Sequence, residues 1–358
     1  MAAVLGSKVM IGARRCLGIV TRVSLALVSV TLAACVQDQG SVTLLVRTDL
    51  PEVLRDYVEE TFEAVHQDIN VRFTVASTGT TLAELQAIEL QCGPPFDVWW
   101  GAHASGLQAA SDAGRLMTYQ PRWLGPSASV DLRHDGEWHP LLLTPYVIAF
   151  SREDLELARA PSDWIDLRHF RWSNDIEILD PASSEAGAWF LISMLQQAAS
   201  IGDLESGFDW LATMDRYVES YATNTSDALQ ALREKRSRLA IVPRADVEAE
   251  RSNSSSWLYY RLPESGTPVL IRGVALMSGT KEARAAKEFL DHLGSIDVRT
   301  ETKLRTRWQP VFGMVDSSRI PVDFELQESW TPYAILFDTI QGKREGWLNR
   351  WEQEIRGR

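Results

Sequence analysis

Residues 141–150 read LLLTPYVIAF, and this stretch decides how the chain is divided. Its apolar run has the length of a buried strand and is short for a helix. Pro145 lies inside it. Proline cannot donate to a sheet ladder, so the strand must bend there or lie at an edge. We read it as a crossover from one lobe to another.

Working outward, the preceding chain alternates. VTLLVR (42–47) is a short strand, and Pro51 suits a first helical turn before the stripe Leu54, Tyr57, Val58, Phe62 and Val65. INVRFTVAS (69–77) is the next strand. Thr81 with Glu84 fits a capping box opening a helix. FDVWW (96–100) is a third strand, followed by a helix ending near Gly114. Strand alternating with helix is the mark of a parallel sheet flanked by helices. Beyond the crossover, DIEILD (175–180) and RLAIVP (238–243) are strands, with helices at 184–198, 203–214 and 226–235. PVLIRGVALMSG (268–279) reads as the return strand, followed by a helix at 281–293; residues 323–356 look helical. The expected fold is α/β with two lobes, each a mixed sheet with its own core and flanking helices, joined by two crossings that permit hinge closure. Lobe one is 42–144 plus 274–322; lobe two is 145–273, with the C-terminal 323–358 packing back on it.

Lys8, Arg14, Arg15 and Arg22 precede an uncharged run, Val23–Ala34, ending in LAAC. A positive start, a short apolar run and small residues read as a secretory signal over 1–34. The run falls short of the about 20 apolar residues of a membrane span. The next residues, 35–41, are polar and read as a tether. Cys16 leaves with the signal, and Cys92 is then a lone thiol expected to be a small buried hydrophobe. No Cys/His zinc spacing occurs, and no metal or cofactor is expected. Without the signal, 32 basic residues face 48 acidic ones, a net of −16. That balance argues against nucleic acid as a partner. The sequence lacks GxSxG, HExxH, GxxxxGK[ST] and GxGxxG, which argues against an enzyme.

LAAC resembles the lipobox of bacterial lipoproteins, which implies cleavage before Cys35 and a lipid anchor on it. Seven further segments stand in the order of one family: FDVWWGAHASGLQAASDAGRL, DGEW, PSDWIDL, ILDPASS, YATNTSDALQAL, RLPESGTPVLIRGVAL and EARAAKEFLDHLGS. Together they resemble the iron(III)/aminoethylphosphonate-type branch of extracellular solute-binding proteins, the receptors of ABC importers. The resemblance implies a type II periplasmic-binding fold, a small solute in the interlobe cleft, a monomeric periplasmic or cell-surface lipoprotein, and delivery to an inner-membrane permease. Two other roles for the same fold stay open: a ligand-bound sensor docking on a receptor ectodomain, and a structural surface lipoprotein that binds nothing.

Ligands in open α/β sheets sit beyond the carboxyl ends of strands, where helix N-termini offer free N–H groups. Lobe one therefore offers Thr48, Asp49, Ser77, Thr78, Gly79, Thr80, Gly101 and His103. Lobe two offers Ser183, Ser184, Asn224, Thr225, Ser226, Arg244 and Asp246, and the crossover offers Tyr146. Several have plainer readings: Asp49, Thr80 and Asn224 as helix caps, His103 as a loop histidine, and Tyr259 and Tyr260 as packing. Arg244 needs an anion, from a ligand or from Asp246. The serines of SSEAG (183–187) cap a helix, hold ligand, or do both. Glu185 beside them repels an anion, which favours a zwitterionic, sugar-like or cationic solute. Iron receptors of the branch use a tyrosine pair where this chain has Arg244 and Ala245, so direct ferric binding is not expected.

Overall fold

The computed structural model describes residues 41–89, 93–124, 136–252, 257–321, 330–334, 337–340 and 342–356. The signal, Cys35, nearly all of the tether, and Cys92 lie outside the described residues.

The first half is built as the alternating pattern dictates. Strand β1 (Val42–Thr48) leads to α1 (Glu52–Val65), β2 (Ile69–Val75), α2 (Thr78–Ala87), β3 (Val98–His103), α3 (Ala104–Asp112) and the short β4 (Leu116–Met117). Helix α1 buries Leu54, Val58 and Phe62 at its i, i+4, i+8 positions, while Val65 stays exposed. Pro51 caps α1 without a side-chain bond. Helix α2 begins at Thr78 rather than at the Thr81 capping box, because Ser77 takes the cap and its oxygen accepts Thr80 N–H.

Strand β5 (Trp138–Ser151) is the crossover. The chain then forms β6 (Ile176–Leu179), α4 (Glu185–Ser200), α5 (Leu204–Asp215), β7 (Val218–Ala222), α6 (Thr225–Arg233), β8 (Leu239–Pro243), α7 (Arg244–Ser252) and β9 (Leu258–Arg261). It returns along β10 (Val269–Met277) to α8 (Ala283–Leu293), α9 (Ile296–Thr306) and β11 (Gln309–Pro310), and ends in α10 (Phe337–Ile340) and α11 (Arg344–Glu354). Helices α10 and α11 pack on α4.

The principal strand order is β2-β1-β3-β10-β5-β8-β6-β7. Strands β2, β1 and β3 are mutually parallel, as are β8, β6 and β7. The antiparallel strands β10 and β5 stand between these sets. Pro145 falls at the changeover: the ladder with β10 ends at Pro145↔Val269, and the ladder with β8 begins at Tyr146↔Pro243. A residue without an N–H is tolerated where hydrogen-bond partners change. Tyr146 N–H donates to Pro268 O, and the Thr267 hydroxyl donates to Tyr146 O.

The expectation of a separate core in each lobe is corrected. One apolar cluster runs from Leu44 and Phe62, through Tyr146, Ile148, Val269 and Ile271, to Leu195 and Trp351. A smaller cluster around Val147, Val242 and Leu229 covers the other face of the second half. The crossing strands are buried along nearly their whole length, so they carry the core from one half into the other instead of crossing as bare straps.

Candidate functional site

A cleft of about 550 Å³ opens between the two halves. It lies where the parallel strands end and the next helices begin. From the first half it takes Asp49, Ser77, Thr78, Gly79 and His103. The second half supplies Ser183, Ser184, Asn224, Thr225 and Asp246. The fold thus brings ten of the sequence candidates to one place.

Each has local work as well. Thr78 is buried, and its hydroxyl accepts His103 N–H at 3.1 Å, tying the start of α2 to that of α3. His103 is buried, and its Nδ1 has no hydrogen-bond partner. Desolvation, then the Arg272 and Arg344 charges, push its pKa well below the usual histidine value, so the ring is neutral. Ser183 donates to Asp180 Oδ2, and Ser184 Oγ accepts Gly187 N–H as the cap of α4. Asn224 caps α6 through Asp227 N–H. Asp49 caps nothing; it pairs with Arg272.

Six candidates stand elsewhere. Thr48 is fully buried, with its hydroxyl accepting Leu50 N–H. Thr80 is exposed and bonds Ser77. Gly101 lies behind the cleft at φ +80°, with Leu50 packed where a Cβ would go, and its carbonyl accepts Arg272 Nη1 at 2.9 Å. Tyr146 is fully buried and donates to Ala186 O at 2.6 Å, fastening β5 to α4. Ser226 lines a neighbouring groove between α6 and α7. Arg244 is corrected most clearly. It is buried and turned away, with Nε donating to Tyr260 Oη at 2.9 Å and Glu248 at 3.8 Å; neither a cleft anion nor Asp246 is its partner. The helical placement explains this, since Glu248 is one turn on from Arg244.

The cleft's cations come from elsewhere. Arg272 of β10 reaches Asp49 and lies 5.0 Å over the Trp308 ring. Arg344, at the start of α11, binds both Glu185 oxygens at 2.9 Å. Glu185 also accepts the Ser105 hydroxyl from α3, so it ties the two halves and α11 together. Arg272 left a sequence signal: a lone arginine inside the apolar run PVLIRGVALM must find an anion. Arg344, in a polar C-terminal segment, left none.

The lining is polar, with hydroxyls, helix N-termini and both charge signs facing one gap. Such a surface orients a small polar molecule from two sides. Among the described residues no group of three or more His, Cys, Asp or Glu gathers as metal ligands.

Comparisons with known proteins agree with that geometry. Residues 42–300 match the family of bacterial extracellular solute-binding proteins. A probable ABC transporter periplasmic-binding protein of Sinorhizobium fredii is 26% identical over 269 residues, 74% of each chain. Among solved structures, the periplasmic binding protein AfuA of Actinobacillus pleuropneumoniae, with fructose-6-phosphate bound, superposes with a TM-score of 0.71 at 20% identity. It covers 87% of this chain and 98% of its own. The ferric binding protein of Campylobacter jejuni gives a TM-score of 0.73 at 15% identity, with the same coverages. These structures share the fold, and the matching family spans most of the sequence from β1 into α9. This chain therefore belongs to the bacterial extracellular solute-binding proteins.

Proposed function

We propose that the chain captures a small polar organic solute in its cleft and hands it to the membrane permease of an ABC importer. The observation that carries this reading is the convergence of polar helix starts from both halves on one gap of about 550 Å³. A solute touching both sides has more contacts when the gap narrows, so it selects the closed state by that difference. Residues 42–144 with 274–322 would move against 145–273 with the C-terminal helices, bending at Pro145, where β5 changes ladder partners, and at neighbouring Pro268, whose carbonyl accepts Tyr146 N–H. Cys35 would carry the lipid that holds the receptor at the membrane as a monomer. The relatives' names support transport, and the lining disfavours a bare ferric ion, since among the described residues it presents no tyrosine hydroxyl.

The test is a thermal-shift screen of the mature chain with sugar phosphates, phosphonates, sugars, amino acids and amines. A native-state ligand raises Tm. A hit that also reduces the radius of gyration in small-angle scattering is the expected outcome. A panel in which nothing shifts Tm would remove solute capture.

A further inference from the structure

The cleft holds three carboxylates, and they are not equivalent. Asp49 has Arg272, and Glu185 has Arg344. Among the described residues Asp246 has no cation within ion-pair distance; its carboxylate accepts the Thr225 hydroxyl at 2.9 Å. Arg272 is the cation whose charge reaches it, and its Nη1 already bonds Asp49 and the Gly101 carbonyl, leaving Nε as its unpartnered buried nitrogen among the described residues. His103, across the gap, is neutral. Arg244 lies two residues away in the chain but bonds Tyr260 and Glu248. The lining thus has two closed acid–base pairs and one open acid.

We propose that Asp246 is the specificity-determining residue of this cleft and that it selects a solute bearing a protonated amine. This rests on the solute-capture reading above and names the chemistry of the solute. A charge-assisted N–H···O bond is about twice as strong as a neutral one, and here it would satisfy a carboxylate that the fold itself leaves without a countercharge. An anionic group brought to the same place meets repulsion from Asp246. Asp246 stands in the first turn of α7, where the helix dipole supports a negative charge. Burial raises its pKa, against the lowering effects of the Thr225 hydroxyl and the Arg272 charge, which marks the carboxylate as desolvated.

Matched solutes that differ by amine for hydroxyl read this directly: putrescine against 1,4-butanediol, glucosamine against glucose, and serine against glycerate. They are titrated calorimetrically into the mature chain at up to about 10 mM, a range that reaches millimolar Kd values. At least one amine should bind roughly tenfold more tightly than its hydroxyl partner, a difference of about 1.4 kcal/mol. Asp246→Asn keeps an acceptor for Thr225 and should erase that preference; Asp246→Ser serves if the first variant does not fold. Equal affinity within every pair, or a preference that survives in both variants, overturns the assignment. So does silence from all three amines. If glucose 6-phosphate or a neutral sugar then binds and contracts the protein, solute capture stands and only the amine rule falls; if no class binds, both fall.

Discussion

Arg244 and Arg272 look alike in the sequence, each a lone cation at an apolar strand, and their partners separate them. Arg244 follows β8, enters α7, and is buried against Tyr260 and Glu248. Arg272 stays in the strand and points to the cleft. Arg244→Ala should therefore lower stability by about 1–3 kcal/mol, the cost of stripping buried polar partners, while a solute-induced rise in Tm persists. Arg272→Ala leaves Asp49 without its cation and should abolish that rise. Thermal melts of both variants with and without a solute decide between them; a reversed pattern would return Arg244 to the site. Two histidines set a pH dependence. Burial, then the His66 charge, pushes His292 down to about 4, and His103 is also depressed. The unfolded chain takes up these protons near about pH 6.5. Stability is full above that value and is lost as pH falls toward the folded values, because the unfolded state then binds more protons. Melts between about pH 7 and 4 should show this fall, and His292→Gln should flatten the slope by at most about 1.4 kcal/mol per pH unit. An unchanged slope would mean that His292 charges freely in the fold.

At the scale of elements, SSEAG is the instructive segment. Its serines are consumed by the turn and the cap, and Gly187 has a reason of its own. A Cβ there would stand 2.4 Å from Leu179 O and 2.7 Å from Leu179 C. Helix α4 thus lies hard against the end of β6, and backbone cannot yield as a side chain can. Gly187→Ala should cost about 1–3 kcal/mol through overpacking, read as a lower urea midpoint; an unaffected midpoint would show that α4 can slide away. The apolar pattern made most strands and helices legible, since α1 and α8 each bury one face whose spacing the sequence repeats, and β5 and β8 are apolar runs buried almost throughout. It passed over α9, IDVRTETKLRT, where threonines and charges hide the period. Thr300, Thr302 and Thr306 are nonetheless buried, each donating its hydroxyl to a carbonyl one turn back. It also passed over α7, polar except for Ala245, Val247 and Ala249, and over β7, whose pattern is mostly half-exposed. The candidate site was legible where strands end in hydroxyl-rich turns. Arg344 and Trp308 join it from far along the chain, through packing that no local pattern records.

Across the whole molecule, Glu185 spans the cleft. Its carboxylate receives Ser105 from the first half and Arg344 from the C-terminal helix, while Asp180 at the same helix start takes Arg356. Helix α11 therefore braces the second half's side of the cleft, and the Ser105 bond is one contact that crosses it. The core runs on through β5 and β10, so the opening proposed above would be a bend near Pro145, where β5 changes partners, limited by that contact. A single hydroxyl-to-carboxylate bond contributes on the order of 1.5–3 kcal/mol, enough to shift a balanced open–closed equilibrium more than tenfold. Glu185→Ala removes it together with the Arg344 brace, whereas Ser105→Ala removes the crossing contact alone. Both variants should increase the radius of gyration without solute and return to the wild-type value when solute bridges the gap. Ser105→Ala should do so with an unchanged melting temperature of the C-terminal packing, followed by the fluorescence of Trp347 and Trp351. If neither variant expands, the crossing bond restrains nothing and the resting spacing is set by the core of the two long strands.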